Sequence, residues 1–153
     1  MTRDDLEFDI YYSYFLEKMN YTFLTRIDKA ITLALIVLGF SVFAPIANLF
    51  VFGVVVAILS VLQLVYQFGQ AAGLSKEQMR QYRRLVADVK SLEEEELKKR
   101  FLKLQDADSL PWQSLEYGAH KRASIALGRT DNLPPLTLRQ KLFCAIAGDI
   151  PND

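Results

Sequence analysis

The hydrophobic positions of this chain change their spacing twice, and each change marks a new kind of segment. From Leu6 to Ile27, Phe8, Tyr11, Tyr12, Phe15, Met19 and Phe23 recur at intervals of three and four, as on one face of a helix. Interfacial membrane helices carry more Lys and Arg than this one, so the stripe is expected to pack against protein. From Ala30 the periodicity vanishes: between Lys29 and Lys76 there is no Asp, Glu, Lys, Arg or His. That stretch is roughly twice the ~20 residues that cross a bilayer once. It is interrupted by Phe43-Ala44-Pro45-Ile46-Ala47-Asn48, where Pro45 disfavours helix at Ala44 and Asn48 can cap a new one. The pattern predicts a hairpin of two membrane-spanning helices, about 30–45 and 49–68. Tyr66 and Phe68 suit the interface at the end of the second.

Beyond the hairpin the helical period returns. Ser75 with Gln78 reads as a capping box opening a helix, and Met79, Tyr82, Val86 and Val89 share one face of it. Ser91-Leu92-Glu93-Glu94 offers a second box, for a new helix or a bend carrying Leu97, Phe101 and Leu104. After Pro111-Trp112, Leu115, Ala119, Arg122, Ala123 and Ala126 predict a helix stopped by Gly128. Thr137 to Gln140 forms a third box, opening a short helix that Gly148 and Pro151 end. No segment reads as a strand. The expected fold is an all-α membrane protein: an N-terminal amphipathic helix (1–28), a two-span transmembrane hairpin (29–69) and a cytoplasmic helical domain (75–150).

Charge supplies an orientation. Arg26 and Lys29 precede the hairpin; Lys76, Arg80, Arg83 and Arg84 follow it; the turn carries no charge. The positive-inside rule then places both termini in the cytoplasm of a multi-pass protein, with almost nothing outside to act as an extracellular sensor. The first 25 residues show no signal-peptide pattern. Mean hydropathy is near zero (+0.11) because two unlike parts average out. Zero net charge gives no reason to expect direct nucleic-acid binding.

Within the hairpin, Gly53, Ala57 and Ser60 recur at helical spacing on the second helix with Gln63 beside them, and Ala34 and Ser41 lie near one face of the first. Small residues let helices approach closely in lipid, while Ser and Gln hydrogen-bond across the contact. These six positions serve either helix packing, within the hairpin or between copies, or the lining of a pore, which would require a homo-oligomer. The remaining chemistry is sparse. Cys144, the lone cysteine, reads as a small buried hydrophobe, and His120, the lone histidine, as a partly exposed helix residue. Glu93–Glu96 followed by Lys98, Lys99 and Arg100 is a solvated helix face with acids preceding bases. No phosphate loop, paired-histidine motif or nucleophile elbow occurs. The sequence therefore gives no catalytic, cofactor-binding or metal residues, no cofactor and no enzyme.

The layout of an N-terminal helical lead, Arg26-Ile27-Asp28-Lys29, two close spans, an amphipathic helix with Tyr82-Arg83-Arg84-Leu85, Pro111-Trp112 and Tyr117-Gly118-Ala119-His120-Lys121-Arg122-Ala123 resembles the SLATT family of prokaryotic two-span effector domains. The resemblance covers about 15–147 and rests on architecture. It implies an effector of a bacterial antiphage or conflict system in the inner membrane, which oligomerises and perforates or depolarises the membrane in abortive infection. It also implies a separate sensor protein as partner, either a nucleotide-signal synthase or a reverse transcriptase. The residues alone fit an alternative, a non-enzymatic membrane scaffold that tethers a cytoplasmic partner.

Overall fold

One helix carries both the aromatic stripe and the start of the uncharged stretch. In the computed structural model, which describes residues 2–41, 49–106, 109–129 and 134–151, α1 runs unbroken over Arg3–Ser41. It is followed by α2 (Leu49–Tyr66), α3 (Phe68–Asp88), α4 (Glu94–Gln105), a 3₁₀ turn at Gln113–Leu115, α5 (Glu116–Ala126) and α6 (Leu138–Ile146). No strand occurs among the described residues, so the protein is all-α. The expected turn at Phe43–Asn48, with Pro45 and the Asn48 cap, lies outside the described residues.

α3 and α2 run antiparallel along α1 for nearly its whole length. Arg3 Nη2 donates to the carbonyls of Val89 (2.9 Å) and Leu92 (3.1 Å) at the end of α3. Further along, Asn20 Nδ2 donates to Ser75 Oγ at 2.7 Å, and Lys76 Nζ lies over the Tyr21 ring. Near the top, Gln63 Nε2 of α2 donates to Thr32 Oγ1 at 3.3 Å. Each step forward on α1 is matched by a step back on its partner, so one register holds from the bundle into the apolar half.

The first 27 residues of α1 form the spine of a helical bundle with two apolar clusters. Leu6 and Ile10 meet Tyr82, Leu85, Leu97 and Phe101 of α3 and α4. Met19, Phe23 and Leu24 meet Phe68, Ala119 and Cys144 of α3, α5 and α6. The aromatic stripe of α1 is thus packed against protein, with Phe8 edge-on to His120 at 5.0 Å. Arg26 fastens α6 by donating to the carbonyls of Ala145 and Ile146, both at 2.9 Å, at the end of a helix where a cation is favoured. Asp149, just past α6, pairs with Lys18 of α1 and Arg122 of α5.

Two of the three expected capping boxes do not form. Ser75 does not start a helix; it sits buried inside α3, which begins at Phe68. Its hydroxyl is engaged with Asn20 and Ser109, so a helix end is not what satisfies it. α4 starts after Glu93 without a side-chain cap, while Ser91 turns back to the carbonyl of Asp88. Thr137 and Gln140 do form the reciprocal box. Gly128 (φ 71°) and Gly148 (φ 76°) adopt the left-handed geometry that ends α5 and α6. The acidic and basic run of α4 is a solvated face, with Arg100 on Glu96 one turn earlier at 2.8 Å.

Candidate functional site at the base of the apolar helices

α2 is built almost wholly of Val, Leu, Ile and Phe, and the protein does not cover it. Among the described residues one stretch, Phe50–Asp88, is long and apolar enough to span a membrane, and its apolar window has none of its residues buried. At about 1.5 Å per residue the 18 residues of α2 reach about 27 Å. Phe50 and Leu64 are 79% and 73% exposed, and on the facing part of α1 Phe40 is 71% exposed. Water would not tolerate such a contiguous apolar surface unpartnered.

Against that background the polar and small positions stand out. Gly53, Ala57 and Ser60 lie on the exposed surface of α2, and a Cβ added at Gly53 would meet nothing within 4 Å. Ala34 is half-buried on α1. Gln63 is half-buried too, and its amide reaches across to Thr32. Ser41 ends α1, and its side chain lies outside the described residues. Ser60 and Gln63 share an open groove of about 560 Å³ with Leu64, Gln67 and Gln70. Gln67 and Gln70 extend the row by seven residues from Ser60 and Gln63 respectively. Following the helical period past the end of the apolar run would have found them.

Gln67 is also where the helix breaks. Its backbone is left-handed (φ 44°, ψ 47°), the one non-glycine residue in this region among those described, a geometry that costs an L-residue about 1–2 kcal/mol. Helical bonding reaches it from Gln63 and leaves it for Ala71, so the chain bends without unwinding. The Asp28 carboxylate lies beside Gly69 in the first turn of α3, where a negative charge complements the helix dipole. Nothing in the sequence marks Gln67 as a left-handed residue, since glycine or asparagine is the usual signal.

The flanking cations are divided between tasks. Arg26 caps α6, Lys76 covers Tyr21, and Arg80 pairs with Glu77 at 3.7 Å. Lys29 is exposed, and so are Arg83 and Arg84, which line a shallow groove on α3 with Arg80. Cys144 is fully buried, and burial, followed by the charge of Asp149, pushes its thiol upward. A protonated, enclosed thiol is a poor nucleophile. No cluster of metal-ligating side chains occurs among the described residues.

No family model matches the chain, and neither the curated proteins nor the solved structures contain a match.

Proposed function

We propose that this chain is a non-enzymatic membrane effector of a bacterial antiphage system. It sits in the inner membrane as a two-span hairpin with both termini cytoplasmic. It self-associates through α2 and perforates or depolarises the membrane when a separate sensor protein signals. The observation that carries this reading is the polar row that exposed Ser60 and half-buried Gln63 form on the otherwise apolar α2, and that Gln67 and Gln70 continue past its end. Lipid offers such groups no hydrogen bond, whereas a second copy or a water-filled lumen does. The small residues Gly53 and Ala57 above it leave room for close approach. The break at Gln67 fits the bilayer boundary, because irregular backbone is not stable facing hydrocarbon. The resemblance to the SLATT family points the same way.

The test is membrane potential, read with a voltage-sensitive dye during controlled expression with the neighbouring genes and a phage trigger. Depolarisation should follow triggering, and Ser60→Leu or Gln63→Leu should change conductance in liposomes while the protein still inserts. An unchanged potential and intact liposomes under every trigger would overturn the proposal. The exposed guanidinium face of Arg80, Arg83 and Arg84 favours a second reading, a scaffold that tethers an acidic cytoplasmic partner. In that case replacing the hairpin by an unrelated two-span anchor preserves function; loss of function on the exchange counts against the scaffold.

A further inference from the structure

The uncharged stretch starts at Ala30, and α6 is fastened to α1 about one helical turn below it. Arg26 Nη1 holds the carbonyls of Ala145 and Ile146, and the helix from Arg26 to Ala30 rises about 6 Å. Leu136, just before α6, and Cys144 and Ala147 at its far end are buried in one apolar cluster with Met19, Phe23 and Leu24. Both ends of α6 are thus tied to the part of α1 just below its apolar half. The Ser109–Trp112 segment reaches the same place. The Trp112 ring lies 5.5 Å from Phe23, and the Phe143 ring of α6 lies 5.7 Å from that same Phe23. Trp112 also stands 6.4 Å from Tyr66 at the end of α2.

What these two segments leave uncovered is apolar. Leu138 and Leu142, one turn apart on α6, are 86% and 60% exposed, and exposed Ala145 continues their stripe. The helical period places exposed Arg139 and Lys141 on either side of it. In that arrangement leucines can enter the acyl boundary while the flanking basic side chains reach out to headgroups. Leu110 is 96% exposed, yet the segment carrying it is pinned. Ser109 Oγ donates to the Glu17 carboxylate at 2.7 and 2.8 Å and meets Ser75 Oγ at 3.2 Å. The Trp112 N–H donates to Asn20 Oδ1 at 3.4 Å. Leu110 borders an open groove with Val65, Tyr66 and Leu74, so it belongs to a contiguous apolar patch that joins the surface of α2.

We infer that α6 and the Leu110–Trp112 segment dock on the cytoplasmic leaflet at the base of the hairpin, with Arg139 and Lys141 on anionic lipid headgroups. The inference rests on the membrane reading above. Asp28 lies beside Gly69, so the lower ends of the apolar parts of α1 and α2 are level with each other. With hydrocarbon starting there, a headgroup layer about 5–7 Å deep covers the turn of α1 that holds α6. Trp112 and Tyr66 are the residue types that favour this layer, and two basic residues beside two leucines match an anionic leaflet in charge.

The test uses the full chain in nanodiscs of phosphatidylcholine, with or without phosphatidylglycerol. A nitroxide is attached to the thiol of Leu138→Cys or, as an exposed control on α4, of Glu95→Cys; Cys144 is fully buried and does not compete for the label. The Leu138→Cys label should collide with lipid-soluble oxygen and be shielded from a water-soluble nickel complex, and the Glu95→Cys label should show the opposite. Trp112, the only tryptophan, should be quenched more by lipid brominated near the headgroup than by lipid brominated near the chain ends. Arg139→Gln and Lys141→Gln should each lower the docked-to-undocked ratio about fivefold in phosphatidylglycerol discs and leave phosphatidylcholine discs unchanged. A Leu138→Cys label as open to nickel as the Glu95→Cys label, in chains that co-elute with nanodiscs, overturns the docking alone. Dipolar broadening of the Leu138→Cys label that vanishes on dilution with unlabelled chain also overturns it, in favour of a second copy on that face. Failure to co-elute with nanodiscs refutes the membrane reading, and the docking with it.

Discussion

Gly118 in α5 offers the sharpest quantitative check on how the bundle is packed. A Cβ built there would overlap Cys144 Sγ of α6 and lie 3.0 Å from Met19 Cε of α1, and both neighbours are essentially fully buried. Gly→Ala inside a helix normally gains about 1 kcal/mol, whereas overpacking a closed core costs about 1–3 kcal/mol. With two enclosed neighbours the upper end of that cost applies, leaving Gly118→Ala destabilised by about 2 kcal/mol net. For a chain of this size that lowers the thermal midpoint by about 4–8 °C. Cys144→Ala alone removes one buried sulfur and should cost about 1–2 kcal/mol. In the double variant the new methyl occupies the space the sulfur left, so the midpoint should return close to wild type. The two effects would then be non-additive by about 2 kcal/mol or more. The assay is thermal unfolding of the four proteins in one detergent at one scan rate, followed by Trp112 fluorescence. A higher midpoint for Gly118→Ala, or additive effects in the double variant, would refute the proposed three-helix contact.

Three further outcomes follow from the same structure. Arg26→Ala removes two hydrogen bonds to the end of α6 from an exposed side chain, a loss of about 1 kcal/mol; faster tryptic cleavage at Arg139 and Lys141 should report the loosened helix. Burial, then the charge of Asp5, raises the pKa of Asp9, so the folded state holds that proton longer than the unfolded chain and this group's contribution falls as pH rises from the ordinary carboxylate range through the raised value. Asp9→Asn should therefore match wild-type stability at low pH and exceed it increasingly towards neutrality; a constant difference across pH would contradict this. Gln67→Gly should stabilise by up to about 1 kcal/mol by relieving the left-handed backbone, and Gln67→Ile should destabilise, as read by thermal midpoints; the reverse order would show that the bend is not strained.

What could be read from the chain was whatever depended on local pattern. The uncharged stretch from Ala30 to Ser75 announced α2, the aromatic spacing announced the packed face of α1, and Thr137 with Gln140 announced the start of α6. Ser75 shows why the rest was not legible. Ser and Gln three residues apart look the same whether the hydroxyl caps a helix or is buried against Asn20, and only the pairing with α1 decides between them. Glu17 and Asn20 likewise look like solvent-facing residues of an amphipathic helix until Ser75 and Ser109 arrive from distant parts of the sequence. Arg26 served the orientation argument by charge alone, although its geometry is that of a cap. For the candidate site, Ser60 and Gln63 were visible as polar interruptions, while Gln67 lay at the end of the expected second span without a signal of its own and Gln70 just beyond it.

The buried chain from Asn20 through Ser75 and Ser109 to Glu17 has a mechanical consequence. Sliding α3 along α1 by one helical turn, about 5.4 Å, would part Ser75 from both Asn20 and Ser109, at a cost of about 1–3 kcal/mol for each buried group left unsatisfied. Bending at Gln67 breaks none of these bonds. The chain therefore acts as a latch on axial translation of α3 along α1. Tilting α2 about Gln67 would leave these bonds intact and give up the bond from Gln63 to Thr32.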